Sequence, residues 1–314
     1  MVDFIEARKR IEQKDHSMRE KVMSIEEATR LIKDGDHVAF GGIQFSGTPM
    51  AIIREIIRQK KRDLTISRTI VSFEGDLLLV GGCVKRAITS WFSGGVTYGV
   101  SKIMREYVEK KKVVYEEWSH YSICLRYKAG AMGIPFIPTF SMLGSDLLKH
   151  VEAKEMICPF TGQKLCLIPA MFPDVAVIHV HRADPYGNAQ IDGLPYADAD
   201  IARAASKVIL TVEKIISNEQ IRKEPWRTVI PFFCVDAVVE VPYGAYPHEC
   251  YGIYEPDYKH FEEYTKITRE KGVEGVKEYL DRYVYEPETF EDYLSLFGLK
   301  RILERTKAGR EVYL

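Results

Sequence analysis

The clearest chemical feature of the sequence is a glycine-rich segment at residues 41–49, and it reads Gly-Gly-Ile-Gln-Phe-Ser-Gly-Thr-Pro. Glycines allow a backbone to approach a ligand closely and to adopt positive φ. Thr48 can cap a helix and Pro49 suits its first position, so a helix is predicted to begin here. Its free N–H groups would suit a phosphate, a carboxylate or a developing oxyanion. The alternative is a tight strand-to-helix turn without a ligand, and spacing alone favours neither interpretation.

The spacing of this glycine-rich loop matches neither of two common phosphate-binding patterns. The Walker pattern needs a Gly-Lys-Ser/Thr ending, and the dinucleotide fingerprint needs G-x-G-x-x-G. Nucleotide binding of those two kinds is therefore not predicted.

Histidines and cysteines are the residues that could hold a metal. His179 and His181 are two residues apart in an apolar run, so a strand would place them on one face. A hydrogen-bonded strand pair is the favoured interpretation and a metal the alternative. The six cysteines form no C-x-x-C pair, and zinc sites need such closely spaced ligands. No metal is expected.

Composition excludes several classes of protein. The 314 residues carry 44 Lys plus Arg and 45 Asp plus Glu, a formal charge of −1, so no strong field for nucleic acid is expected. No stretch approaches the ~20 apolar residues of a membrane helix, and the charged start lacks the apolar region of a signal peptide. We therefore expect no nucleic-acid or membrane partner and a cytoplasmic location.

The elements that would position the loop alternate along the chain. Helical patterns separate several of the strand-like runs, which indicates an α/β fold with an open, mostly parallel sheet and helices on both faces. Strands are predicted at 37–40, 64–71, 87–92, 113–117, 136–139, 164–169, 175–181, 207–212 and 237–241. Helices are predicted at 50–61, 100–110, 121–132 and 197–206. A turn at 184–188 is predicted to join two antiparallel strands at one edge of the sheet.

Helical extensions are predicted at both ends of a single domain. Residues 1–22 are highly charged and read as a helical N-terminal extension, and Ser24 with Glu27 forms a capping box for the next helix. The domain is predicted to occupy 23–256. Residues 257–314, rich in Tyr and charge, are predicted to form a helical C-terminal wrap of the same domain.

Several stretches together carry a resemblance to a known family. They are residues 41–50, 63–65, 116–120 followed by 129–136, 143–145, and 235–239 with 242–245 and 250–252. In this order they resemble the α subunit of family I coenzyme A transferases, of the glutaconate CoA-transferase type. The likeness runs from about Ser24 to the C-terminus.

The resemblance implies a fold of the NagB/RpiA kind and a β subunit of the same fold. It implies that CoA moves between an acyl-CoA and a carboxylic acid through a glutamyl-CoA thioester, which is nucleophilic carboxylate catalysis. The catalytic glutamate is expected on the β subunit, in a Glu-x-Gly pattern. Glu74 directly precedes Gly75 and is expected to be only a loop carboxylate near the site.

The resemblance also implies which residues of this chain contact the substrates. The α subunit is expected to supply loops, backbone donors and part of the acyl pocket. The residues expected to bind CoA or the acyl group are Gly41, Gly42, Gln44, Phe45, Ser46, Gly47, Ser72, Phe73, Gly144 and Ser145.

His120 departs from the family pattern, which usually has Gln at this position. Histidine can donate the same hydrogen bond to the acyl oxygen, but it also titrates near neutral pH. An auxiliary catalytic role for His120 is therefore expected, with a helix-start cap as the alternative. Two other functions stay open: a subunit of a ring-opening CoA-thioester hydrolase, and a catalytically silent ligand-binding scaffold.

Overall fold

The structure, a computed structural model, describes residues 4–311. Its strands are β1 (His37–Phe40), β2 (Leu64–Val71), β3 (Val84–Phe92), β4 (Val114–Glu117), β5 (Phe136–Thr139), β6 (Lys154–Ile157), β7 (Lys164–Pro169), β8 (Val175–Ala183), β9 (Ala189–Gln190), β10 (Lys207–Ile215), β11 (Thr228–Ile230) and β12 (Ala237–Glu240). Its α-helices are α1 (Phe4–Glu12), α2 (Ile25–Thr29), α3 (Met50–Arg58), α4 (Phe73–Val80), α5 (Gly95–Tyr98), α6 (Lys102–Glu109), α7 (His120–Met132), α8 (Asp198–Ala204), α9 (Asn218–Lys223), α10 (Tyr258–Lys271), α11 (Val273–Leu280), α12 (Phe290–Ser295) and α13 (Leu299–Glu311).

The main sheet has nine strands within residues 4–311. Seven of them are parallel neighbours in the order β12-β10-β8-β1-β2-β3-β4. The other two, β9 and β11, are antiparallel. The prediction of an open, mostly parallel sheet is confirmed.

Both faces of this sheet are buried, because alternate strand residues enter two separate cores. In β8, Val177 packs into a first core with α2, α3, α4, α6 and α11. Its neighbour Ile178 packs into a second core with α7, α8 and β7. In β1, Phe40 and Ala39 divide in the same way. Helices therefore cover both faces, as the continuous apolar strands predict.

Two of the predicted strands lie outside the main sheet. β5 and β7 have the predicted bounds, but they pair with β6 in a separate antiparallel sheet in the order β5-β7-β6. The sequence pattern did not predict β6. Strand-forming residues specify an extended backbone but not its partner, and here Cys166 and Ile168 of β7 are buried against the second core.

The predicted turn at 184–188 joins antiparallel strands, but it does not lie at an edge strand. β8 has nine residues and β1 only four, so β1 pairs with just the first part of β8. β9 pairs with the last part of β8, on the same side of β8 as β1. There Arg182 and Ala183 pair with Gln190 and Ala189. The hairpin therefore lies next to the end of β1.

The N-terminal extension is helical only over Phe4–Glu12 among its described residues. Beyond it the backbone is tied to the body of the fold, because the Lys21 N–H donates to Pro185 O and the Met23 N–H donates to Val238 O. These bonds replace helical ones. The Ser24 capping box is present at α2, and residues 1–3 lie outside the described part.

The C-terminal region is helical, from α10 to α13. α10 and α11 contribute Tyr264 and Val276 to the first core, and Tyr293 and Ile302 join a third cluster with Tyr246. Residues 312–314 of the predicted wrap lie outside the described part. No helix within residues 4–311 is long and apolar enough to cross a membrane.

The close contact of α7 with the segment after β7 gives a test of the packing. A Cβ on Gly130 would lie 2.4 Å from Met171 O. Gly130→Ala should therefore lower the free energy of unfolding by about 1–3 kcal/mol, although Ala alone favours a helix by about 1 kcal/mol over Gly. Urea unfolding measures this, with the exposed Lys128→Ala of the same helix as a near-neutral control. Stabilisation by Gly130→Ala would contradict the packing.

Candidate functional site

The glycine-rich loop lies where the strand order of the main sheet reverses. From β1 the chain continues to β2, β3 and β4 on one side, and later to β8, β10 and β12 on the other. In open α/β sheets, ligands bind in the crevice outside the carboxyl ends of the strands at such a point. The glycine-rich loop follows β1, and the turn that joins β8 to β9 follows β8. Both therefore border this crevice.

The loop is shaped by one buried side chain, Arg68 of β2. Its guanidinium is fully buried and donates from Nε to Gly41 O at 3.0 Å and from Nη1 to Gln44 O at 3.2 Å. Nη2 donates to Thr48 Oγ1 at 2.8 Å and to Ser46 O at 3.4 Å. One side chain therefore holds the loop at four points.

Glu74 neutralises Arg68, which corrects its predicted role as a loop carboxylate. It lies in α4 and is buried, with Oε1 2.6 Å from Arg68 Nη1 and 2.9 Å from the Ser72 amide nitrogen. Its other oxygen lies 3.6 Å from Nε2 of the buried His248. Burial, and then the charge of Arg68, hold the pKa of His248 well below its usual value, so this imidazole is neutral.

A second buried carboxylate, Asp198, accepts one of the loop amides. The Gly42 N–H donates to Asp198 Oδ1 at 2.7 Å, and a Cβ on Gly41 would lie 2.7 Å from the same oxygen. Burial raises the pKa of Asp198 to about 7, against the opposing effects of the Gly42 amide and the Arg68 charge. The chain thus places its own carboxyl at the loop where one of the two sequence interpretations has an anionic ligand.

The N-terminus of α3 does not offer its first amides to a ligand. Pro49, and not Thr48, stands at the N-cap position, because the Thr48 hydroxyl donates to Gln44 O. The Met50 N–H donates to Thr48 O and the Ala51 N–H donates to Gly244 O. This corrects the predicted cap, and at the helix itself it favours the alternative interpretation of a turn without a ligand.

Three loop amides have no hydrogen-bond partner within the described residues, those of Gln44, Phe45 and Thr48. The amides of Gln44 and Phe45 are neighbours at the centre of a turn in which Ile43 and Ser46 exchange both backbone hydrogen bonds. Gln44 has φ +49°, in the left-handed region. Neighbouring N–H groups in such a turn can converge on one anion.

Ser72 and Phe73, which the resemblance implies as binding residues, lie beside the loop. The Phe45 ring stacks on Phe73 at 5.8 Å and on Phe261 at 4.8 Å between ring centroids. The Ser72 N–H donates to Glu74, which pairs with Arg68, and Arg68 in turn bonds to the loop. Gly144 and Ser145 have no described hydrogen bond to the loop. Instead, Ser145 Oγ accepts the Leu147 N–H. Their binding role stays a prediction.

His120 lies at the same edge of the sheet, at the start of α7 after β4. β4 is three strands from β1, about 14 Å at the usual strand spacing, and no described hydrogen bond joins His120 to the loop. Ser119, not His120, caps α7, since its hydroxyl accepts the Ser122 N–H at 3.1 Å. The alternative of a capping histidine is therefore wrong.

The hydrogen bonds of His120 define its tautomer. Its Nδ1 lies 2.6 Å from Ser90 Oγ, and this hydroxyl also bonds to Thr69 O. A carbonyl cannot donate, so the Ser90 proton points to Thr69 and Nδ1–H of His120 donates to Ser90. Burial lowers the pKa of His120, which favours the neutral ring. Its Nε2 is then a proton acceptor, and not the donor that the comparison with Gln predicts.

A cavity of about 590 Å³ lies in the crevice beside the loop, and we call it the switch-point cavity. Ser46 and Gly47 form one wall and His181 of β8 another. The rest of the lining comes from residues 191–194, Tyr196, Asp198, residues 249–251 and Glu255. Gly193 packs against Tyr251, since a Cβ there would lie 2.6 Å from the ring.

The strand histidines are hydrogen-bonded, as the favoured interpretation predicts. His179 bonds to Thr211 Oγ1 at 2.9 Å and to Glu213 Oε1 at 2.8 Å. Potential metal-ligand atoms of His179, Glu213 and the buried Cys250 lie within 4.8 Å of one another. Because His179 and Glu213 already bond to each other, the trio needs no ion to satisfy them, and the expectation of no metal stays a prediction.

Arg68 and Asp198 are the functional residues that sequence reasoning missed. A signal for Arg68 exists, because it interrupts the apolar run of β2 and charged residues are almost never fully buried unless they are paired. Asp198 gave no such signal. It reads as an ordinary residue of a helix N-terminus, and only the fold brings it to a loop 156 positions away.

Comparisons with known proteins agree with this geometry. The sequence model of the coenzyme A transferase family matches residues 22–241. The chain is 34% identical to the A subunit of glutaconate CoA-transferase from Acidaminococcus fermentans, over 90% of this chain and 93% of that protein. The crystal structure of that transferase superposes with a TM-score of 0.86, over 90% of this chain and 94% of that one.

Two further relatives cover most of the chain. It is 34% identical to the A subunit of 3-oxoadipate CoA-transferase from Pseudomonas knackmussii, over 87% of this chain and 96% of that protein. It is 44% identical to an uncharacterised protein of Archaeoglobus fulgidus over 94% of this chain, but it spans only 66% of that protein.

The buried ion pair predicts a large effect of a small substitution. Glu74→Gln keeps the shape of the side chain but leaves the Arg68 charge without a partner. We expect the free energy of unfolding to fall by about 3–5 kcal/mol, measured by urea unfolding. Glu274→Gln, which breaks an exposed pair with Lys277, is the matched control and should change nothing measurable. Equal effects of the two variants would show that the buried pair does not organise the fold.

The raised pKa of Asp198 predicts how stability depends on pH. Between about pH 4 and 7 the native carboxyl holds a proton that the unfolded chain has released, so this group lowers the stability of the wild type as pH rises. Asp198→Asn removes that titration. Its free energy of unfolding relative to wild type should rise by roughly 3 kcal/mol across this window.

Urea unfolding at several pH values measures that difference. Asp200→Asn in the same helix is the control, because Asp200 is only half-buried. If the stabilities of Asp198→Asn and wild type run parallel with pH, the Asp198 carboxyl is not held in its neutral form.

Proposed function

The chain belongs to the coenzyme A transferase family and is of its A-subunit type, and from this premise we propose that it is the α subunit of a heteromeric CoA-transferase. Its reaction moves CoA from an acyl-CoA to a carboxylic acid. One observation carries the proposal: Arg68 holds the loop after β1 through four hydrogen bonds, yet the neighbouring amides of Gln44 and Phe45 are unpaired among the described residues, directly before Ser46, which lines the switch-point cavity. Paired amides stabilise the oxyanion that forms when a thioester carbonyl is attacked.

The nucleophile is a glutamate of the partner β subunit. Its carboxylate attacks the thioester carbonyl and CoA thiolate leaves, which gives an acyl-glutamyl anhydride; the thiolate then attacks the glutamyl carbonyl and releases the acid. Two buried carboxyls near the loop in this chain, those of Glu74 and Asp198, do not suit that role. Glu74 is buried against Arg68, and Asp198 is buried with a pKa raised to about 7.

The partner covers exposed apolar residues around the carboxyl edge of the sheet. Trp91 lies near the carboxyl end of β3, and Tyr121 lies just after β4. Leu194 and Tyr251 line the switch-point cavity. These four side chains are 39–71% exposed. Aromatic side chains are enriched at such interfaces. We therefore propose that the chain works in a hetero-oligomer. We also propose a cytoplasmic location, and a single domain at 23–256 with extensions at 1–22 and 257–314.

One observation favours a second candidate, a CoA-thioester hydrolase subunit. Nε2 of neutral His120 is a proton acceptor at the edge of the sheet, and such a nitrogen can activate water. The third candidate, a silent scaffold, predicts binding without turnover. The similarity to the A subunits of two transferases supports transfer as the main activity.

Turnover by the reconstituted enzyme tests the proposal. The chain is co-expressed with its β subunit, and the complex is incubated with acyl-CoA and labelled acetate. We expect mass spectrometry to show labelled acetyl-CoA, together with a glutamyl-CoA adduct that hydroxylamine cleaves. Release of CoA to water without an adduct supports the hydrolase instead, and binding without either product supports the scaffold.

His120→Gln separates the two enzymatic roles. Gln restores a side-chain donor and cannot act as a base, so we expect transfer to be kept or increased and any hydrolysis to fall at least tenfold. Both rates are measured on the same preparation. Lys128→Ala, at an exposed position of the same helix, is the control and should change neither rate. If His120→Gln also leaves both rates unchanged, His120 is structural.

A further inference from the structure

A second cavity, of about 120 Å³, lies among the N-terminal end of α4, the start of α6 and one face of α10. We call it the α4–α10 cavity, and it shares no lining residue with the switch-point cavity. We propose that it binds a short-chain carboxylate. The proposal goes beyond the transferase reaction, because binding at this cavity needs no turnover.

Two buried hydroxyl groups of the lining have no hydrogen-bond partner within the described residues. They belong to Ser72 and Thr265, which are only 2% and 9% exposed. A serine at an N-cap normally accepts an amide of its own helix, but Ser72 at the start of α4 does not. A threonine inside a helix can donate to the carbonyl four residues earlier, but Thr265 in α10 does not. Because a buried polar group without a partner is costly, both hydroxyls favour a polar occupant of the cavity.

Two cations in the lining have charges that the chain does not neutralise. Lys102 begins α6 and Arg269 lies near the end of α10, and both side chains are exposed. Neither forms an ion pair within 4 Å among the described residues. These charges favour an anion as the occupant.

The lining contains a single carboxyl among the described residues, that of the buried Asp76. Burial raises its pKa to about 7, against the opposing hydrogen bonds from Ser101 and Tyr264. Below that pH the carboxyl is neutral and does not repel an anion. The cavity then combines two free hydroxyls with an excess of positive charge.

The size and the remaining surface of the cavity favour a carboxylate over other oxyanions. Phe73, Tyr98 and Val100 supply apolar and aromatic surface, against which a short alkyl group can lie. At roughly 30 Å³ for each water molecule, the volume corresponds to about four waters, which is enough for an acid as small as acetate. A carboxylate has two oxygens, one for each free hydroxyl. Phosphate has four oxygens and no apolar part.

Threonine methyl groups, labelled with carbon-13 in the full chain, give a local readout of binding. Thr268 lines the cavity, Thr48 lies in the glycine-rich loop, and the exposed Thr161 lies at neither place. At about pH 6 and constant ionic strength, we expect acetate to shift the Thr268 signal saturably and to leave Thr161 unmoved. Acetamide, the neutral analogue, should bind roughly tenfold more weakly.

Removal of the free hydroxyls tests the binding mode. Ser72→Ala/Thr265→Val should raise the dissociation constant of acetate, read at Thr268, roughly tenfold. Ser295→Ala/Thr161→Val removes two exposed hydroxyls and is the matched control, which should leave the constant unchanged.

Removal of the two cations is a second test that leaves the buried residues in place. Lys102→Gln/Arg269→Gln should weaken acetate roughly threefold or more and leave acetamide unchanged. Arg105→Gln/Lys266→Gln is the control, because both residues are exposed on the same two helices but do not line the cavity.

Four results would overturn the proposal. Without a saturable shift of Thr268, the cavity holds only water, and a shift confined to Thr48 places acetate at the loop alone. Tighter binding of inorganic phosphate than of acetate at Thr268 refutes the choice of a carboxylate. An affinity that neither double variant changes, while circular dichroism shows the wild-type fold, refutes the assigned contacts. Each of these readouts is independent of the proposed transfer reaction.

Discussion

The candidate site depends on a buried charge that the protein neutralises internally. The guanidinium of Arg68 is fully buried in the main sheet, where an unpaired charge would be very costly, and Glu74 is its counter-charge. The remaining donors of Arg68 have no water to bond, so they bind carbonyls of the glycine-rich loop and the Thr48 hydroxyl. The loop is held by a side chain from the neighbouring strand, and within the described residues the amides of Gln44 and Phe45 have no acceptor.

The topology places that loop opposite a second set of residues. β1 lies between β2 and β8, so the loop faces one neighbour that supplies Arg68 and another that carries His179 and His181. Asp198, from the helix that follows the β8–β9 hairpin, closes the loop from the β8 side. The switch-point cavity is the space left between these elements, and its size and charge follow from both halves of the sheet.

The electrostatic character of the site differs from that of a phosphate site. A glycine-rich loop before a helix favours an anion. Here, however, Asp198 accepts the Gly42 N–H, Gly244 O accepts the Ala51 N–H of the helix, and carboxyls line the cavity. What remains is a small donor pair, suited to the oxygen of a thioester that becomes negative only during reaction.

Local patterns in the sequence were enough to establish the α/β class, the parallel sheet, the position of the glycine-rich loop and the family, because apolar periodicity and short motifs are local properties. The resemblance implied that Ser72 and Phe73 contribute to the site, and the structure places Phe73 against Phe45 of the loop because β2 is adjacent to β1. Local patterns could not show that β5 and β7 leave the main sheet, that Asp198 reaches Gly42, or that Thr48 serves Arg68 instead of capping α3. Each of these depends on a partner far away in the chain, and local propensity contains no information about which distant group will be buried against which. The tautomer of His120 likewise follows from the fold alone, through a single serine hydroxyl on the neighbouring strand.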